Sequence, residues 1–257
     1  MKRVNSALTL AICLAALMFA GLACSGSFST GDNSAVNSPA NTSNSTNAAK
    51  TESKPAPPKD IAGEYNSKGT NPDNTGTYEA NLLVTKRDDV YQFSWDSKGN
   101  KYDGVGVMTD SAVAVAYTDG DNGKGCGVVL YKINSDGSLD GKSGYWGVNT
   151  METEKATRKS GSDLEGEYEI TGKNPEGKEY KGTLEVSKEG QGYNFEWNAG
   201  NTFEGFGIRA GNLVAVGIGG KQCAFVGYDV KPDGTLDGKW GSRTSKILGT
   251  EVATKKK

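Results

Sequence analysis

The chain has 257 residues, with 29 basic against 31 acidic side chains and no histidine. The missing imidazole removes the usual general base, the commonest metal ligand and every Ser-His or Cys-His dyad, so catalysis is not expected. Both charge signs are scattered without a basic stripe, which argues against nucleic acid as a partner.

The N-terminus reads as an export signal over residues 1–23. Lys2 and Arg3 precede an uncharged apolar stretch from Ala7 to Leu22, too short for a stable spanning helix. Gly21-Leu-Ala-Cys24 resembles the bacterial lipoprotein box, which implies a lipid on Cys24 and a chain anchored to a membrane of the cell envelope. Gly21-x-Ala23 also suits ordinary signal peptidase, which would release a secreted protein starting at the same cysteine. Residues 24–60 are rich in Ser, Asn, Thr and Ala and hold four of the seven prolines, so a disordered tether is expected there. Its coil dimension is roughly 30–35 Å. Two glycosylation sequons, at Asn41 and Asn44, read as accidents of tether composition.

Beyond the tether the chain states one pattern twice. Gly63-Glu-Tyr65 returns as Gly166-Glu-Tyr168, and Tyr91-x-Phe93-x-Trp95 as Tyr193-x-Phe195-x-Trp197. Asp136-Gly-Ser-Leu-Asp-Gly-Lys142 returns as Asp233-Gly-Thr-Leu-Asp-Gly-Lys239, and Thr153-Glu-Lys-Ala-Thr157 as Thr250-Glu-Val-Ala-Thr254. Within each unit, alternating segments recur every 8 to 12 residues between turn clusters such as Asn174-Pro-Glu-Gly177 and Pro232-Asp-Gly234, with no helical stripe. In the second unit strands are predicted at 166–172, 179–187, 192–198, 203–209, 212–218, 222–230, 235–241 and 248–254. The expected fold is all-β: two tandem, up-and-down antiparallel barrels of about eight strands, residues 61–158 and 162–254, similar to lipocalins and avidins at fold level.

Parity assigns faces. Tyr91, Phe93 and Trp95, with Tyr65, Tyr78 and Tyr131, and the copies Tyr168, Tyr193, Phe195, Trp197 and Tyr228, are expected to line the barrels, either as solid core or as a pocket wall. Val105 and Val107, copied as Phe206 and Ile208, alternate with glycines that suit a sharply bent sheet. Cys126 to Tyr131 and Cys223 to Tyr228 are apolar on both faces. Val129, Tyr131 and Ile133 fit the inward set, leaving Cys126, Val128, Leu130, Cys223 and Phe225 outward as a candidate surface between units. Since Cys13 lies in the signal and Cys24 at the lipid site, the folded part holds one thiol per unit. Cys126 and Cys223 either pair as a disulfide or stay reduced, each in its own core.

Two further patterns bear on metal binding and acid–base chemistry. Asp119 to Gly125 lacks the glycine and glutamate an EF-hand requires at its sixth and twelfth positions, so it reads as a hairpin turn, and no metal or cofactor is expected. The repeated carboxylates Glu64/Glu167, Asp103/Glu204 and Asp140/Asp237 would make an acid–base pair only if two met inside a barrel. Their places beside glycines at strand ends favour solvated turns.

Asn174-Pro-Glu-Gly-x-x-Tyr180-x-Gly-Thr-Leu184, the Tyr193-x-Phe-x-Trp197 strand, Gly211-Asn-Leu-Val-Ala-Val216 and Cys223-x-x-Val-x-Tyr228 together resemble a bacterial envelope family often labelled fibronectin-binding. The likeness runs over both units, with a departure at Asp110-Ser-Ala112 of the first. It implies an extracellular or envelope protein partner and names no catalytic residue. The function expected is thus a membrane-tethered, non-catalytic binding or adhesion module. The alternatives are a periplasmic or surface carrier of a small apolar ligand in each barrel, or an enzyme inhibitor.

Overall fold

The computed structural model describes residues 55–120, 123, 125–220 and 222–257. The expected signal segment, the expected lipid site Cys24 and the expected tether through residue 54 lie outside the described residues. Asp60, at the end of the expected tether, is tied to the folded part: its Oδ1 accepts hydrogen bonds from the Ala62 amide (2.9 Å) and the Tyr91 hydroxyl (3.3 Å).

Sixteen strands follow, with no α-helix among the described residues. The first five are β1 (Gly63–Thr70), β2 (Thr77–Arg87), β3 (Val90–Ser97), β4 (Asn100–Thr109) and β5 (Ala112–Asp119). The middle eight are β6 (Gly127–Ile133), β7 (Leu139–Tyr145), β8 (Glu152–Arg158), β9 (Gly166–Lys173), β10 (Glu179–Glu189), β11 (Gly192–Asn198), β12 (Thr202–Ala210) and β13 (Leu213–Ile218). The last three are β14 (Ala224–Val230), β15 (Leu236–Gly241) and β16 (Gly249–Lys255). Every strand expected in the second unit is present, its ends within two residues of the prediction.

The strands close into two antiparallel eight-stranded barrels. The barrels, however, are not the two sequence repeats. One barrel takes β1–β5 from the first repeat and β14–β16 from the second; the other takes β6–β8 from the first and β9–β13 from the second. The expected boundaries 61–158 and 162–254 therefore mark repeats, and the barrel boundaries fall at the links after β5 and β13. We call the discontinuous one the outer barrel and the continuous one the central barrel. Closure runs through β5–β14, with Val115 opposite Val226, and through β6–β13, with Val129 opposite Val216. Since β6–β8 and β14–β16 carry one motif pattern, the repeats by themselves do not distinguish the two closures.

The exchange explains the strands that are apolar on both faces. Val226, Tyr228 and Val230 point into the outer barrel and Val129 and Tyr131 into the central one. On the opposite face, Cys126, Val128, Leu130 and Phe225 join Val105, Val107, Phe206, Ile208 and the alanines of β5 in a third apolar cluster between the barrels. Ala114 and Ala116 are fully buried there, and their small side chains let the two sheets approach closely. The outward row predicted on β6 and β14 is this interface.

The segments Asp119–Gly125 and Gly219–Gly220 are crossovers, not hairpin turns, since β5 does not pair with β6 nor β13 with β14. Asp121, Asn122 and Lys124 of the first lie outside the described residues. The two crossovers are fastened by a Cys126–Cys223 disulfide, Cα atoms 5.8 Å apart. The alternative of two reduced thiols in separate cores does not hold: both sulfurs sit where the chain changes barrels. Two polar pins flank the seam at equivalent positions. Trp146 Nε1 donates to Asp103 Oδ2 at 2.7 Å, and Arg243 Nη1 pairs with Glu204 at 3.0 Å.

Candidate functional site: the barrel mouths

One end of each barrel is plugged. Ile61 and Leu164 are fully buried, and their carbonyls accept hydrogen bonds from Tyr65 (2.6 Å) and Tyr168 (2.8 Å), so these hydroxyls are satisfied without water. Above the plugs the interior is solid: Phe93 stacks on Tyr228 at 6.2 Å and Phe195 on Tyr131 at 6.0 Å. At Gly106 of β4 and Gly205 of β12 an aromatic ring occupies the space a side chain would need. A Cβ on Gly106 would lie 2.6 Å from Phe93 Cε2, and one on Gly205 2.9 Å from Trp197 Cζ3. Bent-sheet glycines and bulky rings are thus one packing solution.

The other end of each barrel is open, and a carboxylate stands inside it. In the outer barrel Glu251 of β16 is 4 % exposed. Its Oε1 accepts from Tyr228 (2.5 Å), Trp95 Nε1 (3.1 Å) and Ser67 (3.3 Å), and its Oε2 from Tyr78 (2.6 Å). In the central barrel Glu154 of β8 accepts from the Tyr131 hydroxyl, from Tyr180 (2.9 Å) and from Trp197 Nε1 (3.3 Å). The described ion pairs include neither carboxylate, and the described partners of both are neutral donors.

Flanking glycines make this geometry available. Glu251 lies opposite Gly69 on β1 and Gly238 on β15; Glu154 lies opposite Gly172 on β9 and Gly141 on β7. Each glycine is covered by a tyrosine ring: a Cβ on Gly69 would meet the Tyr78 ring at 2.7 Å, and one on Gly238 the Tyr228 ring at 2.4 Å. On Gly141 it would meet Tyr131 at 2.6 Å, and on Gly172 it would meet Tyr180 at 2.3 Å. Two rings lie flat over bare backbone and deliver their hydroxyls to one carboxylate. Each cluster is assembled from both repeats.

The electrostatics follow from burial. Tyr228 and Tyr131 are held well above the ordinary phenol range, first by burial and then by the neighbouring glutamate's charge. Tyr78 and Tyr180 are raised for the same reasons, so all four remain protonated donors. Burial likewise raises the Glu154 carboxyl above its ordinary value, while the hydrogen bonds from Tyr131, Tyr180 and Trp197 pull it back down.

Each mouth opens into a cavity. The outer barrel's, about 250 Å³, is walled by Tyr78, Trp95, Tyr102, Tyr117, Tyr228 and Trp240, with Glu251 at its floor and Asn71 and Asn100 at its rim. The central barrel's, about 460 Å³, holds Glu154 and Glu152 among Tyr131, Tyr145, Tyr180 and Trp197. Where the outer mouth has Tyr117 and Trp240, the central one has Ile218 and Ser143. The copies have diverged in the walls and kept the floor.

Of the aromatic residues expected to line the barrels, Tyr78, Trp95, Tyr228, Tyr131 and Trp197 reach these cavities. Tyr65, Tyr91, Phe93, Tyr168, Tyr193 and Phe195 are core. Tyr131, grouped by repeat with Trp95, sits with Trp197 in the other barrel, donated to by that indole at 2.9 Å. None of the repeated carboxylates singled out in the sequence enters a barrel. Glu64 pairs with Lys256, Asp237 with Lys231, and Asp140 accepts from Asn134. Glu167 accepts from Ser160, and Asp103 and Glu204 pin the seam. Glu154 and Glu251 went unnoticed, although a signal existed: two residues on in each strand stand Ala156 and Ala253, both fully buried, so parity turns the glutamates inward.

Fold and mouths together define a class: paired, strand-exchanged eight-stranded β-barrels, each with an aromatic-walled cavity over a glutamate that is buried in the outer barrel and half-buried in the central one. Protein-family models, curated proteins and solved structures all fail to match the chain.

Proposed function

We propose that the protein is a non-catalytic, extracytoplasmic binding protein that takes a small ligand into the mouth of each barrel, tethered to the envelope through lipid on Cys24. The observation that carries this reading is the conserved design of the two mouths within one chain: walls that differ, over a carboxylate held by the same two tyrosines and one tryptophan. A carboxylate drawn into a barrel and given no cation costs stability, and a barrel built only to fold would fill that layer with apolar side chains, as it does below. The aromatic walls favour an organic ligand, smaller than drug-sized in the outer mouth. The disulfide at the crossovers accords with export to an oxidising compartment.

Native mass spectrometry of residues 55–257, incubated with a small-molecule extract of envelope and medium, tests this. Adducts of one or two small molecules per chain are expected, the first lost when Trp95 is changed to Ala. A chain that stays bare while capturing an extracellular protein would favour the adhesion reading instead.

A further inference from the structure

We infer that the outer barrel's mouth is a site for an organic cation, an alkylated ammonium group seated between aromatic rings above Glu251; this rests on the small-ligand reading of the mouths. Three features meet there. The rings enclose space instead of stacking: Trp95 and Tyr117 lie 5.2 Å apart at 48°, Tyr117 and Trp240 6.4 Å at 56°, and Tyr78 and Trp240 5.8 Å at 86°. Aromatic faces carry the negative part of the ring quadrupole and attract cations, tryptophan most strongly. The floor adds a carboxylate whose bonding partners are all neutral donors. Three of those donors reach Oε1 and only Tyr78 reaches Oε2, so the charge on Oε2 is the less offset of the two and attracts a quaternary ammonium, which has no N–H to donate, by charge alone.

Every fixed charge and quadrupole in this mouth thus has the same sign. An anion is repelled, a neutral ligand gains only burial, and a cation gains from walls and floor together. The central barrel supplies the contrast. Its cavity holds Glu152 beside Glu154, but Ile218 and Ser143 replace the Tyr117 and Trp240 rings that close the outer cage, and the space is wider. The cage belongs to the outer barrel alone, so one cation per chain is the expected stoichiometry. About 250 Å³ accommodates a group the size of trimethylammonium with a short chain.

The test is a titration of residues 55–257 with choline and with its uncharged isostere, in which carbon replaces the nitrogen, read by calorimetry and by the fluorescence of Trp95 and Trp240. Choline is expected to bind at one site, at least about tenfold tighter than the isostere. Glu251→Gln should bring the two within about twofold, Trp240→Leu at the rim should weaken choline selectively, and Glu154→Gln should change neither. Should Glu251→Gln fail to fold, the Trp240→Leu comparison decides. An isostere binding as tightly as choline overturns the cation inference and leaves the small-ligand reading standing. Failure of both probes while extract adducts persist does the same; failure of both probes with no adducts removes both.

Discussion

Cutting the chain at the barrel boundary, residues 126–219, is expected to yield a fragment that folds alone, whereas cutting at the repeat boundary, residues 55–160, is expected to yield a dimer. The first fragment contains β6–β13, which pair in chain order and close through β13–β6, so every ladder of the central barrel is retained. Its cost is exposure of the outer face carrying Val128, Leu130, Phe206 and Ile208, so it should be less soluble than the parent while melting cooperatively. The second fragment holds five strands of one barrel and three of the other. Two copies can reproduce both barrels by the pairings seen within the chain, an isologous exchange between identical elements. Light scattering with circular dichroism checks both; a 55–160 fragment that is a cooperatively melting monomer would show that one repeat closes on itself.

Removing the disulfide should have the largest effect of any paired side-chain change. Cys126 and Cys223 are 97 residues apart, and the loop they close is the whole central barrel. For a loop of that length the chain-entropy account gives about 4–5 kcal/mol, which in a domain of this size lowers the melting temperature by roughly 10–20 °C. The bond also joins the two links through which the chain passes between barrels, so its loss frees both crossovers at once. Cys126→Ser with Cys223→Ser, melted beside the parent with and without reductant, gives the value. A shift below about 3 °C, or a parent insensitive to reductant, would show that the bond is not formed or does not restrain the unfolded chain.

Much of this architecture was legible in the residues. Alternation placed the strands, because each inner face is a run such as Tyr91, Phe93, Trp95, and turn chemistry placed their ends. The outward Cys126-x-Val128-x-Leu130 row announced a second buried surface, since a barrel wall facing water on that side would not spend three apolar residues on one strand. What could not be read was the partner of β6. Val129 and Val226 occupy equivalent positions, and a pairing rule that accepts one accepts the other. Strand exchange between near-identical copies leaves no trace in periodicity; it shows only in the strand pairing and in the shared cluster around Ala114 and Ala116.

The mouths were half legible for a related reason. The aromatic residues stood out by type, but whether a ring is core or wall depends on its level along the barrel axis, which alternation does not report. Trp95 lies two residues beyond Phe93 on the same face and lines the cavity, while Phe93 is sealed. Glu154 and Glu251 were masked by neighbours of mixed polarity, and the glycines opposite them, Gly141, Gly172, Gly69 and Gly238, gain meaning only once the register is known.

Both the architecture and the site rest on each mouth drawing on both repeats, and the indole N–H signals in a nitrogen–proton correlation spectrum report this directly. Trp95 donates to Glu251 and Trp197 to Glu154, each pair spanning a repeat boundary. With the indoles assigned by single Trp→Phe changes, Glu251→Gln is expected to move the Trp95 signal and leave Trp197 in place, and Glu154→Gln the reverse. Trp95 responding to Glu154→Gln, its partner within the first repeat, would contradict the exchanged barrels and the site built on them.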